Sequence, residues 1–209
     1  MKKMYRIILC TLVALGSVAL PVNARDEAAP VQVELTTDLG AILIEVYPSK
    51  APISAENFLK FVDGGLYENA GFYRTVRHDN DNGTPKIEVI QGGLLDTSDL
   101  TGGVAHETTE QTGLKHTDAA VSLARAAVGT GSAAAFFICI GDQPALDYGA
   151  ARNADKQGFA VFGKVIEGMD VVRKIHQVRD DAATDNVYLK GQILANPVMF
   201  RSIKRVTAK

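Results

Sequence analysis

Val31, Val33 and Leu35 alternate with polar residues, and after Asp38-Leu39-Gly40 the alternation resumes at Ile42, Ile44 and Val46. A period of two broken by a turn sequence predicts a β-hairpin over 31–46 with one buried face. Pro48 and Pro52 then end the strand pattern. Pro52 suits a helix start, and Ala55, Phe58, Leu59 and Val62 share one helical face before Gly64-Gly65 stops it, which predicts a helix over 52–63. Strand-like runs follow at 72–76 and 87–90, separated by the polar, turn-rich stretch 77–86, which reads as a loop. Residues 92–117 are rich in Gly, Thr and charge and show no period. A loop of that length is usually functional or tightly packed. Residues 120–123, 136–140 and 159–165 predict three more strands, Met169, Val172 and Ile175 mark a second helix over 168–177, and 197–206 reads as a last strand. Many strands, two helices and few βαβ crossovers predict a mainly β fold, a closed antiparallel barrel with helices at its ends.

The first 24 residues follow a different logic. Lys2, Lys3 and Arg6 precede the uncharged apolar run 7–20, and Val22-Asn23-Ala24 has the small-residue end that signal peptidase reads. The run is shorter than the roughly 20 apolar residues of a spanning helix. The chain is therefore expected to carry a signal peptide at 1–24, cleaved after Ala24, then a short tether at 25–30, with a periplasmic or secreted location. No comparable apolar run occurs later, so no membrane contact is expected after cleavage. Cleavage removes Cys10 and leaves Cys139 alone, so no internal disulfide can form. It also removes Lys2, Lys3 and Arg6, leaving 19 basic against 24 acidic residues and a net charge of −5. A scattered acidic surface argues against a nucleic-acid partner, which needs a basic stripe.

Candidate chemistry centres on Arg74. The bond before a proline rotates over a barrier near ~20 kcal/mol because the amide nitrogen shares its lone pair with the carbonyl. Twisting returns that lone pair to nitrogen. A donor aimed there binds the twisted state better than either planar one, and such differential binding is catalysis. Arginine suits the task, being permanently charged with a rigid fork of donors. Strand alternation places Phe72 and Arg74 on one face and Tyr73 on the other. An arginine between aromatics can equally cover apolar surface with its stem.

Phe72-Tyr73-Arg74, Gln91-Gly92-Gly93, Leu114-Lys115-His116-Thr117, Ser122-Leu123-Ala124-Arg125, Phe136-Phe137-Ile138, Leu146-Asp147 and the run from Ala160 to Val165 resemble, in this order, the motifs of the cyclophilins, a family of peptidyl-prolyl isomerases. The resemblance spans 31–206 and implies a single domain there, a closed antiparallel eight-stranded barrel capped by two helices. It implies that Arg74 is catalytic, that Gln91 orients it and bonds the peptide backbone, and that Val89, Phe137 and Leu146 wall a proline pocket with Phe72 close by. The implied activity is cis-trans isomerisation of X-Pro bonds in exported proteins, assisting their folding, with no cofactor and no metal. Proline-containing peptides and unfolded exported proteins are the implied partners, and a monomer is expected.

Several positions depart from the family pattern. Glu88 stands where an aromatic usually precedes the glutamine by three, Ala135 where a glutamine precedes the paired phenylalanines, Ala145 where tryptophan or phenylalanine is common, and Phe159 where many relatives have histidine or tyrosine. Glu88, Ala135 and Phe159 therefore join the candidate substrate-binding set. Glu88 is also a candidate ion-pair partner for Arg74, which would blunt it. The stretch 77–86 looks like an insertion beside the site. These changes leave open a peptide-binding or chaperone module with weak or no isomerase activity.

Other motifs carry less. Residues 129–134 satisfy G-x-G-x-x-A, but a β-rich run follows where a dinucleotide site needs a helix. His106-Glu107 lacks the second histidine of a zinc-protease motif. The run 79–83 resembles a calcium loop, yet its glycine comes one place early and no glutamate closes it, so turn chemistry accounts for its Asx residues.

Overall fold

The computed structural model describes residues 29–100 and 102–207. The expected signal peptide, its cleavage point and residues 25–28 of the tether lie outside the described residues. Strands β1 (Val31–Thr37) and β2 (Gly40–Val46) form the predicted hairpin, with Val33, Leu35, Ile42, Ile44 and Val46 fully buried. Helix α1 (Pro52–Asp63) follows, then β3 (Ala70–Val76) and β4 (Val89–Leu94). A two-residue strand β5 (Val104–Ala105) and a one-turn helix α2 (Thr109–Thr112) interrupt the long loop. Next come β6 (Ala120–Leu123), the short β7 (Thr130–Gly131), β8 (Ala135–Cys139), β9 (Ala160–Glu167), helix α3 (Met169–His176) and β10 (Ile193–Val206).

Eight strands close into a barrel in the order β1-β10-β3-β4-β8-β6-β9-β2, every paired ladder antiparallel. α1 lays its predicted face on the barrel, and Phe58 meets Phe136 and Phe162 inside it with ring centroids 5.4 and 5.1 Å apart. α3 packs on the other side against β2, β3 and β4 through Val171, Val172 and Ile175. The two expected helices are present, and α2 is an addition. Its capping box, Thr108 with Gln111, makes a stable single turn without any apolar period to announce it. The stretch 129–134, set aside as a dinucleotide motif, gives β7, which pairs with β5.

Two apolar clusters result. One fills the barrel; the other, built from Val76, Ile87, Val89, Ala120, Phe137, Cys139, Leu146 and Val161, lies on the outer face of β3, β4, β8 and β6. Cys139 is buried in this outer cluster, and burial pushes its thiol well above the usual range.

Candidate active site

A β-bulge decides which way the key side chains point. Phe72 pairs with Gly92 and Arg74 pairs with Gln91, so Tyr73 is an extra residue on β3 with no counterpart on β4. One inserted residue reverses the alternation. Phe72 therefore enters the barrel, fully buried against Phe136 and Phe200, while Arg74 emerges on the outer face. The expected sharing of one face by Phe72 and Arg74 does not occur, and Phe72 is core rather than pocket wall.

β4 is brought close by its glycines. A Cβ on Gly92 would stand 2.7 Å from the Phe72 ring, and one on Gly93, with φ +137°, only 2.0 Å from the Ala134 carbonyl. Gln91 pairs with Phe137 across the next ladder, and both face outward. Adjacent phenylalanines thus divide the labour: Phe136 fills the barrel and Phe137 floors the outer site.

On this face lies a cavity of about 250 Å3 whose lining includes Arg74, Gln91, Val89, Phe137, Leu146 and Phe159. Phe159 stands edge-on to Phe137, centroids 5.3 Å apart at 90°. Beneath Phe137 the buried His116 stacks at 5.8 Å and 11°. His116 donates through Nδ1 to Asp147 at 2.8 Å, and its Nε2 accepts from the Ser122 hydroxyl at 3.1 Å. Burial lowers the His116 pKa against the pull of Asp147, and the carboxylate, which can only accept, makes Nδ1 the donor in that bond.

Arg74 is held by neutral groups. Its Nη1 donates to Gln91 Oε1 at 2.9 Å, and its Nε and Nη2 donate to Gln192 Oε1 at 2.9 and 2.6 Å. Gln91 in turn donates to the Tyr73 hydroxyl at 3.0 Å. Burial pulls the Arg74 pKa below its ordinary value, opposed by Tyr188, and arginine remains charged regardless. Two further arginines reach the cavity and are matched by carboxylates. Arg125 grips Asp155 through both terminal nitrogens at 3.0 and 2.7 Å, and Arg152 grips Asp81 at 2.7 and 2.8 Å. Among the described residues the site therefore carries one unbalanced positive charge, on Arg74. The Tyr188 ring lies between two cations, 5.7 Å from Arg74 and 5.6 Å from Arg152.

Arg74, Val89, Gln91, Phe137, Leu146 and Phe159 come together as the sequence suggested. Glu88 does not meet Arg74; its carboxylate sits 3.8 Å from His78, because it alternates away from Val89. Ala135 borders a neighbouring hollow of about 460 Å3 that shares Gln91, Ala124 and Arg125 with the first. Sequence reasoning missed Ile87, Arg152, Tyr188 and Gln192. The last two lie in 177–192, a stretch without period whose only regular piece is a 3-10 turn at Val187–Leu189. The stretch 77–86 is not a loose flap. The Asp81 carboxylate accepts from the Gly83 and Ile87 amides as well as Arg152, and Asn80 donates to the Thr75 and Gly191 carbonyls. It does not turn Arg74 out of the site.

Comparison with known proteins places the chain in a family. Residues 32–195 match the family described as cyclophilin type peptidyl-prolyl cis-trans isomerase/CLD. A peptidyl-prolyl cis-trans isomerase of Acinetobacter baylyi is 36% identical over 168 residues, covering 79% of this chain and 81% of that one. Peptidyl-prolyl cis-trans isomerase A of Dickeya dadantii is 31% identical, covering 81% and 82%. Among solved structures, a cyclophilin type peptidyl-prolyl cis-trans isomerase of Cryptosporidium parvum superposes with a TM-score of 0.62 at 20% identity, covering 86% of this chain and 99% of its own. The same protein crystallised in the presence of the dipeptide Ala-Pro gives 0.60.

Proposed function

This chain belongs to the cyclophilin-type peptidyl-prolyl cis-trans isomerase family, and from that membership we propose that it isomerises X-Pro bonds through Arg74. The observation that carries the reading is the guanidinium at the cavity edge, held by two glutamines and, among the described residues, neutralised by no carboxylate. Three of its five N–H bonds are used in that grip, which leaves two for a ligand. A proline ring seated on Phe137 between Val89, Leu146 and Phe159 brings its amide nitrogen toward those donors. As the bond twists, the nitrogen regains its lone pair and accepts from Arg74; the planar forms gain less. The apolar walls keep water from competing. Gln91, with one N–H on Tyr73, has a second for the peptide backbone. No proton moves and no covalent bond forms.

The wider reading follows from the leader pattern of residues 1–24: an exported protein, acting on unfolded exported chains where proline isomerisation is slow. Ordinary turnover needs no cofactor, and a monomer suffices because one chain supplies the cavity. Fractionation of the producing cell with N-terminal sequencing tests export, with Arg25 expected as the first residue.

The central test is isomerisation of a reporter peptide by the mature protein and by Arg74→Ala. The variant is expected to lose about 10²–10³ in kcat/KM, the usual cost of removing one transition-state donor. Full activity in the variant would remove Arg74 from the mechanism. Peptide binding without isomerisation in the unaltered protein would make it a binding module instead.

A further inference from the structure

Gln192 is the least conspicuous residue at the site, and it makes the closest grip on Arg74. It sits just before β10, fully buried, with its carbonyl oxygen accepting from the Thr75 amide at 2.9 Å. Ile193, the next residue, pairs with Arg74 in the ladder. Gln192 is therefore anchored through the main chain directly beside the arginine it faces. Its Oε1 accepts from Nε and Nη2 of Arg74, the edge of the fork opposite Gln91.

The other end of its amide fixes which atom does this. Nε2 donates to the Asn80 carbonyl at 2.9 Å and to the Tyr188 carbonyl at 3.1 Å. Two carbonyls can be met only by the amide nitrogen, so the oxygen must point at Arg74. All the donors of this amide are used, and its orientation admits no alternative. A glutamate in its place would hold the fork as well but would cancel the charge that the site leaves unbalanced. A single neutral oxygen that accepts two bonds holds the guanidinium without quenching it.

We infer that Gln192 is a positioning residue for isomerisation: with Gln91 it clamps Arg74 from both edges, and it ties that clamp to the stretch 77–86 through Asn80 and to the segment carrying Tyr188. The inference rests on Arg74 acting on the amide nitrogen, as proposed above. It goes further in placing control of that arginine in two segments outside the strands that carry Arg74 and Gln91.

The test is Gln192→Met, close in volume and unable to accept the paired bonds. At a temperature well below its melting point, kcat is expected to fall on the order of 10- to 100-fold while KM stays within about twofold, as for loss of alignment rather than of binding. By NMR, the Arg74 Nε–H should exchange slowly with solvent in the unaltered protein and quickly in the variant. An unchanged kcat in the folded variant, or a loss carried wholly by KM, would overturn the inference. If the variant does not fold, exchange in the unaltered protein decides: slow exchange supports the clamp, and the rate of a free arginine overturns it. Failure of the underlying reading is separately visible, because Arg74→Ala would then keep full activity.

Discussion

Phe136 and Phe137 are neighbours in the chain with opposite employments. Phe136 packs between Phe58, Phe72 and Phe200 inside the barrel, while Phe137 rests on His116 and faces the cavity. Phe136→Ala is expected to lower stability by about 3–5 kcal/mol, the usual cost of emptying an aromatic core site. Its activity per folded molecule should persist. Phe137→Leu should do the reverse: little loss of stability, under about 1.5 kcal/mol for a conservative apolar exchange, and a clear loss of kcat/KM. Denaturant titration and the reporter assay on both variants check the pair; equal effects on activity would deny the division. At this scale the sequence was readable up to one residue. Alternation correctly separates Phe136 from Phe137, since β8 is regular. The same rule fails for Phe72 and Arg74, because nothing in Gly71-Phe72-Tyr73-Arg74 marks Tyr73 as a bulge. Bulges are choices of the partner strand as much as of the bulged one, and a single strand does not reveal them.

The stretch 77–86 is the element where expectation and structure differ most. Its composition says loop, and its carboxylates hint at a cation, yet the cation it holds is Arg152, 71 residues away. Both side chains are buried, at 0% exposure for Asp81 and 2% for Arg152. Breaking such a pair from one side leaves a buried charge unmatched, so Asp81→Asn should cost roughly 3–5 kcal/mol. Asp81→Asn combined with Arg152→Met should recover part of that loss. The pair also predicts a pH signature. Burial alone would raise the Asp81 pKa, but the bonds from Arg152 and from the Gly83 and Ile87 amides outweigh it and the pKa is lowered. A carboxylate depressed in the folded state stabilises above its unfolded pKa, near ~3.9, and that stability is lost as pH falls through the folded value. Unfolding midpoints should converge between the unaltered protein and Asp81→Asn below that range. A gap that stays constant with pH would mean the pair contributes nothing through its charge.

Across the whole molecule, the parts with internal period were legible. The hairpin β1–β2 and α1 begin and end close to where apolar spacing put them, because each buries one face against the barrel and spacing reports burial. β10 was found from Pro197 onward, without its first four residues. It starts at Ile193, and its pairing with β3 is irregular between Ile193 and Val198, around Asn196-Pro197. The candidate site was legible where motif and strand coincide, at Arg74, Val89, Gln91 and Phe137. It was opaque where aperiodic segments fold back from far along the chain, as Gln192 does from 118 residues beyond Arg74. Such contacts are set by barrel closure, which brings β10 beside β3, and no local pattern records that.

The ring of Tyr188, held between the guanidinium groups of Arg74 and Arg152, has an optical consequence. The chain contains no tryptophan, so tyrosine emission is not masked by a stronger fluorophore. One of its emitters lies against the side chain that a ligand must approach. A peptide that fills the cavity should therefore change the native ultraviolet emission, and Tyr188→Phe should abolish that change. Occupancy of the site could then be followed in the unlabelled protein, before any isomerisation is measured.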